Sequence, residues 1–202
     1  MAPGERLCCL TLDEMSLKSK MEFDNATGRV IGGVTLPAHK GLANHALVFM
    51  IGGVTTRWKQ TVAYYLTGQS VLGCVLEDIV LDIIKETHKI GLRIIAITSD
   101  MGAANRGLWK TFGISATSQG VHNKMPHPLE PGKYIYFLAD VPHLFKNVKA
   151  ALINGHTFTI PEDLCKEERL PSRAASIEPV KNLADFQVIL FLIFPLWFDN
   201  AS

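Results

Sequence analysis

The stretch RIIAITSDMGAANR, residues 93–106, decides how the rest of the chain reads. Its first six residues, RIIAIT, hold the short, unbroken apolar run Ile94–Ile97, the pattern of a central parallel strand covered on both faces. The run stops at Asp100 and a small-residue turn, and Gly102-Ala103-Ala104 then opens a helix carrying Trp109. Two other segments repeat the device. CCLTLDEM (8–15) runs into Asp13, and YIYFLADVPHLFKNVK (134–149) runs into Asp140. The second continues into a helix with Pro142 in its first turn and Gly155 past its end.

The segment before residue 93 has a different period. In SVLGCVLEDIVLDIIKETHKIG the apolar positions Leu72, Val75, Leu76, Ile79, Val80, Ile83 and Ile84 make a helical stripe. Ser70 is the expected N-cap and Gly91 the stop. Further upstream the signals are those of strands. Residues 6–13 alternate weakly, KSKMEFDNATGRVIGGV reads as a hairpin, HALVFMIGGV (45–54) as a buried strand and QTVAYYLTG as another strand. GVHNKMPHPLEPGK reads as a Pro/Gly loop. Strands therefore come first, followed by helix, strand, helix, strand and helix. This order predicts an α/β fold with a mixed sheet, its antiparallel front strands continued by β-α-β units. In such a sheet the ends of the Asp13 and Asp100 strands can lie side by side.

Carboxylates on neighbouring strand ends suit Mg²⁺ or Mn²⁺, which prefer oxygen ligands. Two such cations about 3.5–4 Å apart support phosphodiester chemistry, and a site of that kind calls for a third acid. Each Asp has a plainer reading as a helix cap or turn residue. That reading is weakest for Asp13, which has no evident helix behind it. Other chemistries lack a signature. No G-x-G-x-x-G or G-x-x-x-x-G-K-[ST] is present, nor any G-x-S-x-G. The seven histidines are scattered and read as ordinary loop or helix residues.

Charge excludes a strongly basic protein, since 20 Lys and Arg stand against 19 Asp and Glu, a net of +1. Lys18, Lys20, Arg57, Lys59, Arg106 and Lys110 could line a DNA path, although a solvated surface is the commoner meaning of such residues. Cys8, Cys9, Cys74 and Cys165 form no C-x-x-C pair, which fits a reducing compartment without a zinc site. MAPGERLCCL has no signal-peptide core, so nuclear or cytoplasmic residence is expected, and the sequons at Asn25 and Asn200 are expected to be idle. VILFLIFPLWF (188–198) is apolar but far short of the ~20 residues that a spanning helix needs, so no membrane partner is expected.

Four blocks together carry a family resemblance: LTLDEMSLKSKMEFD, ALVFMIGGVTTRWKQTVAYYLTG, LRIIAITSDMGAANRGLWKTFGI and FLADVPHLFKNVKAALING. Over residues 7–187 the chain resembles the RNase H-like domain of P-element-type (THAP-domain) transposases. The resemblance implies a DDE-type DNA transposase core using Mg²⁺ or Mn²⁺, with metal-binding catalytic acids at Asp13 and Asp100. It also implies a GTP-binding insertion domain departing from the D-x-P-H-L-x-K-N block, with Lys146 as its phosphate contact. Asp140 lies in that block as a second-tier acid or cap. By the same resemblance, residues 1–155 are the N-terminal part of the catalytic domain, 156–187 the start of the insertion and 188–202 a divergent apolar tail.

The pattern is also incomplete. The third acid of the family, a Glu, sits on a helix beyond the insertion, and Glu162, Glu167, Glu168 and Glu178 all precede that point. The zinc-binding THAP domain has no counterpart, and the departure after Gln187 suggests a frameshifted or mis-spliced end. The expectation is an RNase H-like fold incomplete at the C-terminus, inactive alone and binding GTP weakly. DNA would be the partner of the longer enzyme, and full-length transposase a partner of this chain. Two alternatives stand beside it. One is a non-catalytic, domesticated or repressor module that binds transposase or DNA, and the other is a small α/β nucleotide-binding protein.

Overall fold

The computed structural model describes residues 3–37, 39–68, 71–117 and 120–193, with side chains up to residue 186. The expected cap Ser70 and residues 194–202 of the apolar tail lie outside the described residues. The chain divides into two compact units, Met1–His143 and Leu144–Ser202.

After a 3-10 turn at Pro3–Arg6, the first unit runs through β1 (Leu7–Ser16), β2 (Glu22–Asp24), β3 (Arg29–Ile31), β4 (His45–Gly53) and β5 (Lys59–Thr67). Next come α1 (Gly73–Lys89), β6 (Arg93–Ser99) and α2 (Ala103–Thr111). It continues with β7 (Ser115–Thr117), β8 (Gly120–His122), β9 (Lys124–Pro126) and β10 (Tyr134–Ala139), and α3 (Val141–Ile153) leads into the second unit. The main sheet has six strands in the order β5-β4-β1-β6-β10-β9. Pairing is antiparallel from β5 through β4 to β1, parallel from β1 through β6 to β10, and antiparallel again at the β9 edge. This is the expected mixed sheet, with its antiparallel front continued by β-α-β units, and β2 and β3 form the expected hairpin.

The core lies between one sheet face and the two helices. Cys8, Leu10 and Leu12 alternate along β1 with near-zero exposure, as period-2 side chains on a covered face must. They pack with Phe49, Ile97 and Phe137 against Leu76, Val80 and Ile84 of α1 and Leu108 of α2. The α1 stripe is buried from Leu76 to Ile84, and Thr87 extends it by a turn. Leu72, expected on that stripe, is instead the exposed N-cap residue. Gly91 adopts φ 80°, the left-handed conformation that ends a helix without a Cβ clash.

Four segments differ from the expectation. β6 buries Ile94, Ile97 and Ser99 while its other residues stay half-buried, so it is not covered on both faces. β1 does not stop at Asp13 but runs to Ser16, because β4 keeps pairing with it after β6 has ended. The expected loop after residue 120 contains β8 and β9, and Pro126 is accommodated because β9 is an edge strand with one side unpaired. β10 is penultimate rather than central, and it buries Ile135 and Phe137 while exposing Tyr134, Tyr136 and Leu138.

The second unit contains a two-residue pairing of β11 (Phe158–Thr159) with β12 (Ala174–Ala175), together with α4 (Glu162–Glu167) and α5 (Glu178–Ile193). Among the described residues no helix is long and apolar enough to cross a membrane.

Candidate functional site

The register of the parallel strands places the three acids. Leu12 of β1 and Ala139 of β10 both pair with Ser99 of β6. The residue after each is an Asp, so Asp13, Asp100 and Asp140 form one row across three adjacent strand ends. The Asp140 N–H donates to the Ser99 carbonyl at 2.9 Å, which carries the ladder past the last strand residue. By the alternation of β1, Asp13 shares a face with Cys9 and Thr11 rather than with buried Leu10 and Leu12. Cys9 Sγ lies 3.4 Å from Thr98 Oγ1, so Thr98 of β6 lines the same face. Neither α1 nor α2 covers that face, and Tyr64, Tyr136 and Leu138 stand exposed on its flanks.

The three carboxylates are held differently. Asp13 is exposed, and among the described residues its Oδ1 accepts only the neighbouring Glu14 N–H, at 2.9 Å. Asp100 is half-buried, and its Oδ1 accepts from the Gly102 N–H at 3.0 Å and from Asn105 Nδ2 at 2.6 Å. Asp100 thus closes the turn that leads into α2, whose N-cap residue is Gly102 and which has no side-chain cap hydrogen bond. Asp140 immediately precedes α3, and its carboxylate is taken by the Nδ1 of His143, three residues on.

Two residues that the sequence reading passed over hold this row in place. Ser99 is 1% exposed, and its hydroxyl accepts from Trp109 Nε1 and donates to the Asp100 carbonyl, both at 3.0 Å. Asn105, also buried, fixes the rotamer of Asp100. A polar residue on the inward side of the first turn of α2 was the available signal for Asn105. No local pattern marks Ser99.

The other expected site residues are distributed as follows. Lys146 is exposed on α3 and belongs to the second unit. Lys18 and Lys20 follow β1 at the end where Asp13 lies, and Lys20 is paired with Glu22 at 2.9 Å. Arg106 and Lys110 are exposed on α2. Arg57 and Lys59 sit where β4 turns into β5, next to Cys8, at the opposite end of β1 from Asp13. The four cysteines are free, and burial together with the neighbouring Cys9 pushes the Cys8 thiol up to about 11.

Two carboxylates on adjacent strand ends match a hard divalent cation in charge and donor type. Among the described residues, no group of three or more His, Cys, Asp and Glu side chains could hold a metal ion.

Residues 1–113 match the family described as TNP-like, RNase H N-terminal domain. The chain belongs to that family. Its relatives place it among P-element-type transposases. It is 26% identical over 162 residues to the Transposable element P transposase of Drosophila melanogaster, covering 77% of this chain and 19% of that protein. It is 22% identical over 194 residues to the human DNA transposase THAP9, covering 85% of this chain and 21% of that protein. The chain thus spans about a fifth of the length of these relatives. Its fold matches the Drosophila P element transposase strand transfer complex with a TM-score of 0.66 at 22% identity, over 89% of this chain and 34% of the other. The P-element-type assignment and the RNase H-like mixed sheet expected from the four sequence blocks are both borne out.

Proposed function

We propose that this chain carries two of the metal-binding acids of a DNA-cleaving and strand-joining active site of the DDE type. The observation that supports this most directly is the shared row of Asp13 and Asp100 on adjacent parallel strands. Asp13 and Asp100 would hold Mg²⁺ or Mn²⁺, which when bound supplies activation of a nucleophilic oxygen and charge stabilisation at a phosphodiester. Asn105 and the Gly102 N–H orient Asp100 by occupying one of its oxygens, leaving Oδ2 for a cation. Ser99 anchors the backbone at that point through Trp109. DNA is the substrate in this reading. Lys18 follows the end of β1 that carries Asp13, and Arg106 and Lys110 are exposed on α2, the helix that follows Asp100; these would be the phosphate contacts.

The third carboxylate is supplied, by family resemblance, from a helix beyond the insertion. The uncovered sheet face beside Thr11 and Thr98 is where such a helix would lie. With two ligands only, the chain alone binds metal weakly and is inactive in cleavage. Lys146 would contact a phosphate of GTP, weakly in the absence of further contacts. A second reading, a non-catalytic module that represses by binding transposase or DNA, draws on the lack of a three-ligand cluster among the described residues.

Calorimetry with Mn²⁺ tests the first reading. The wild type is expected to give a weak binding isotherm that Asp13→Ala and Asp100→Ala each abolish and Asp140→Asn leaves in place. No heat from a wild-type protein that melts cooperatively would overturn the metal-site reading and favour the non-catalytic module.

A further inference from the structure

Two unmatched surfaces of this chain complement each other. The first is a groove of about 640 Å³ between α1 and the β5 edge of the sheet. Its floor is Ile51, Val62 and Tyr65, and its wall is Val75, Ile79 and Ile83, repeating once per turn of α1. Along the lip run Asp78, Asp82 and Glu86, also one turn apart. From Val75 to Ile90 the groove follows α1 for about 22 Å at the rise of an α-helix. Among the described residues, two of the lip acids are engaged only by exposed neighbours on the same helix, Asp82 by Lys85 at 3.1 Å and Glu86 by Lys89 at 2.6 Å. Exposed pairs of this kind are weak, so they exchange readily for other cations.

The second surface is α3. None of its residues is buried. Leu144, Phe145 and Val148 make an apolar stripe, and Phe145 is 70% exposed. Lys149 and Lys146 flank that stripe on one side, and among the described residues neither is in an ion pair. Thirteen helical residues span about 20 Å, close to the length of the groove. A basic-edged apolar helix laid in an acidic-lipped apolar groove is a common mode of helix recognition.

We propose that α3 of one copy of this chain seats in the α1–β5 groove of a second copy, with Lys146 and Lys149 meeting the Asp78–Asp82–Glu86 lip. The contact is head-to-tail, because groove and helix are different surfaces.

Sedimentation equilibrium on the whole chain over a range of concentrations tests this. The weight-average mass of the wild type is expected to rise with concentration to at least twice that of the monomer. A groove variant, Asp78→Lys with Asp82→Lys, and a helix variant, Lys146→Glu with Lys149→Glu, are each expected to stay monomeric. All four positions are exposed, and circular dichroism melts check that both variants fold. Equimolar mixing of the two variants should restore association, since each then meets a complementary partner. A wild type monomeric throughout would overturn the proposal. So would association undiminished in both variants, which would place the contact elsewhere, or mixing that restores nothing. Val62→Ser on the groove floor is expected to weaken association without a charge change, and an unchanged mass profile for it would also count against the proposal.

Discussion

Ser99 shows how much of the site rests on a residue that carries no chemistry of its own. Its hydroxyl joins Trp109 of α2 to the Asp100 carbonyl, and its own carbonyl receives the Asp140 N–H. Ser99→Ala leaves the indole N–H of Trp109 without its acceptor. An unmade buried hydrogen bond costs about 1–3 kcal/mol, so the urea midpoint should fall accordingly, and Mn²⁺ binding should weaken as Asp100 loosens. Urea titration followed by Trp fluorescence reads the first effect. Asp13 and Asp100 were legible in the sequence because an acid ending an apolar strand is a local pattern. Ser99 and Asn105 were not, since their partners are defined by how α2 folds back on β6.

The helices α1 and α2 meet through glycine. A Cβ on Gly73 would lie 2.6 Å from the carbonyl carbon of Gly107, so the two backbones touch there. Gly73→Ala must push the helices apart, and overpacking of this kind costs about 1–3 kcal/mol. A lower thermal midpoint for Gly73→Ala is expected, with the far-UV spectrum at low temperature unchanged. The helical stripe of α1 was readable from its period, but the close approach was not, because a lone Gly at a helix start has several meanings. β9 escaped the sequence reading for a related reason. A three-residue strand ending at Pro126 has too few residues to show alternation, and only its pairing with β10 makes it a strand.

Across the first unit, the far end of the sheet from the Asp row is held by a buried polar cluster. His127, read from sequence as an ordinary residue, has a side chain only 1% exposed. Its Nδ1 accepts the Leu129 N–H at 3.2 Å, which leaves the ring proton on Nε2. Facing it are Glu130 from the same loop, His88 from the end of α1 and Arg93 from the start of β6. Burial is the main cause that holds the His127 imidazole below its ordinary value of 6.5, with Glu130 opposing and His88 and Arg93 assisting. Protonation would also set a proton on Nδ1 against the Leu129 N–H. The unfolded chain therefore takes up a proton near pH 6.5 that the folded chain resists. Stability is full above that pH and declines as pH falls toward the lower folded value. Thermal midpoints should drop between pH 7 and pH 5, roughly the window below the ordinary His value, and His127→Gln should flatten the drop. An equally steep profile in the variant would assign the effect to other groups.

Local order was written in the chain. Period-2 and period-3.6 patterning marks β1 and α1, because each buries one face or stripe against a core, and short apolar runs mark β4 and β6. The family resemblance and the two acids rest on such contiguous blocks. Which strands become neighbours is a property of long-range pairing, and that pairing brings Asp13 beside Asp100 and adds Asp140 to the row. It also leaves one sheet face and the α1–β5 groove uncovered, buries His127 beside His88 and Glu130 and brings Gly73 against Gly107. These features depend on which surfaces meet once the sheet has closed on its helices, and segments remote in sequence carry no local mark of that meeting.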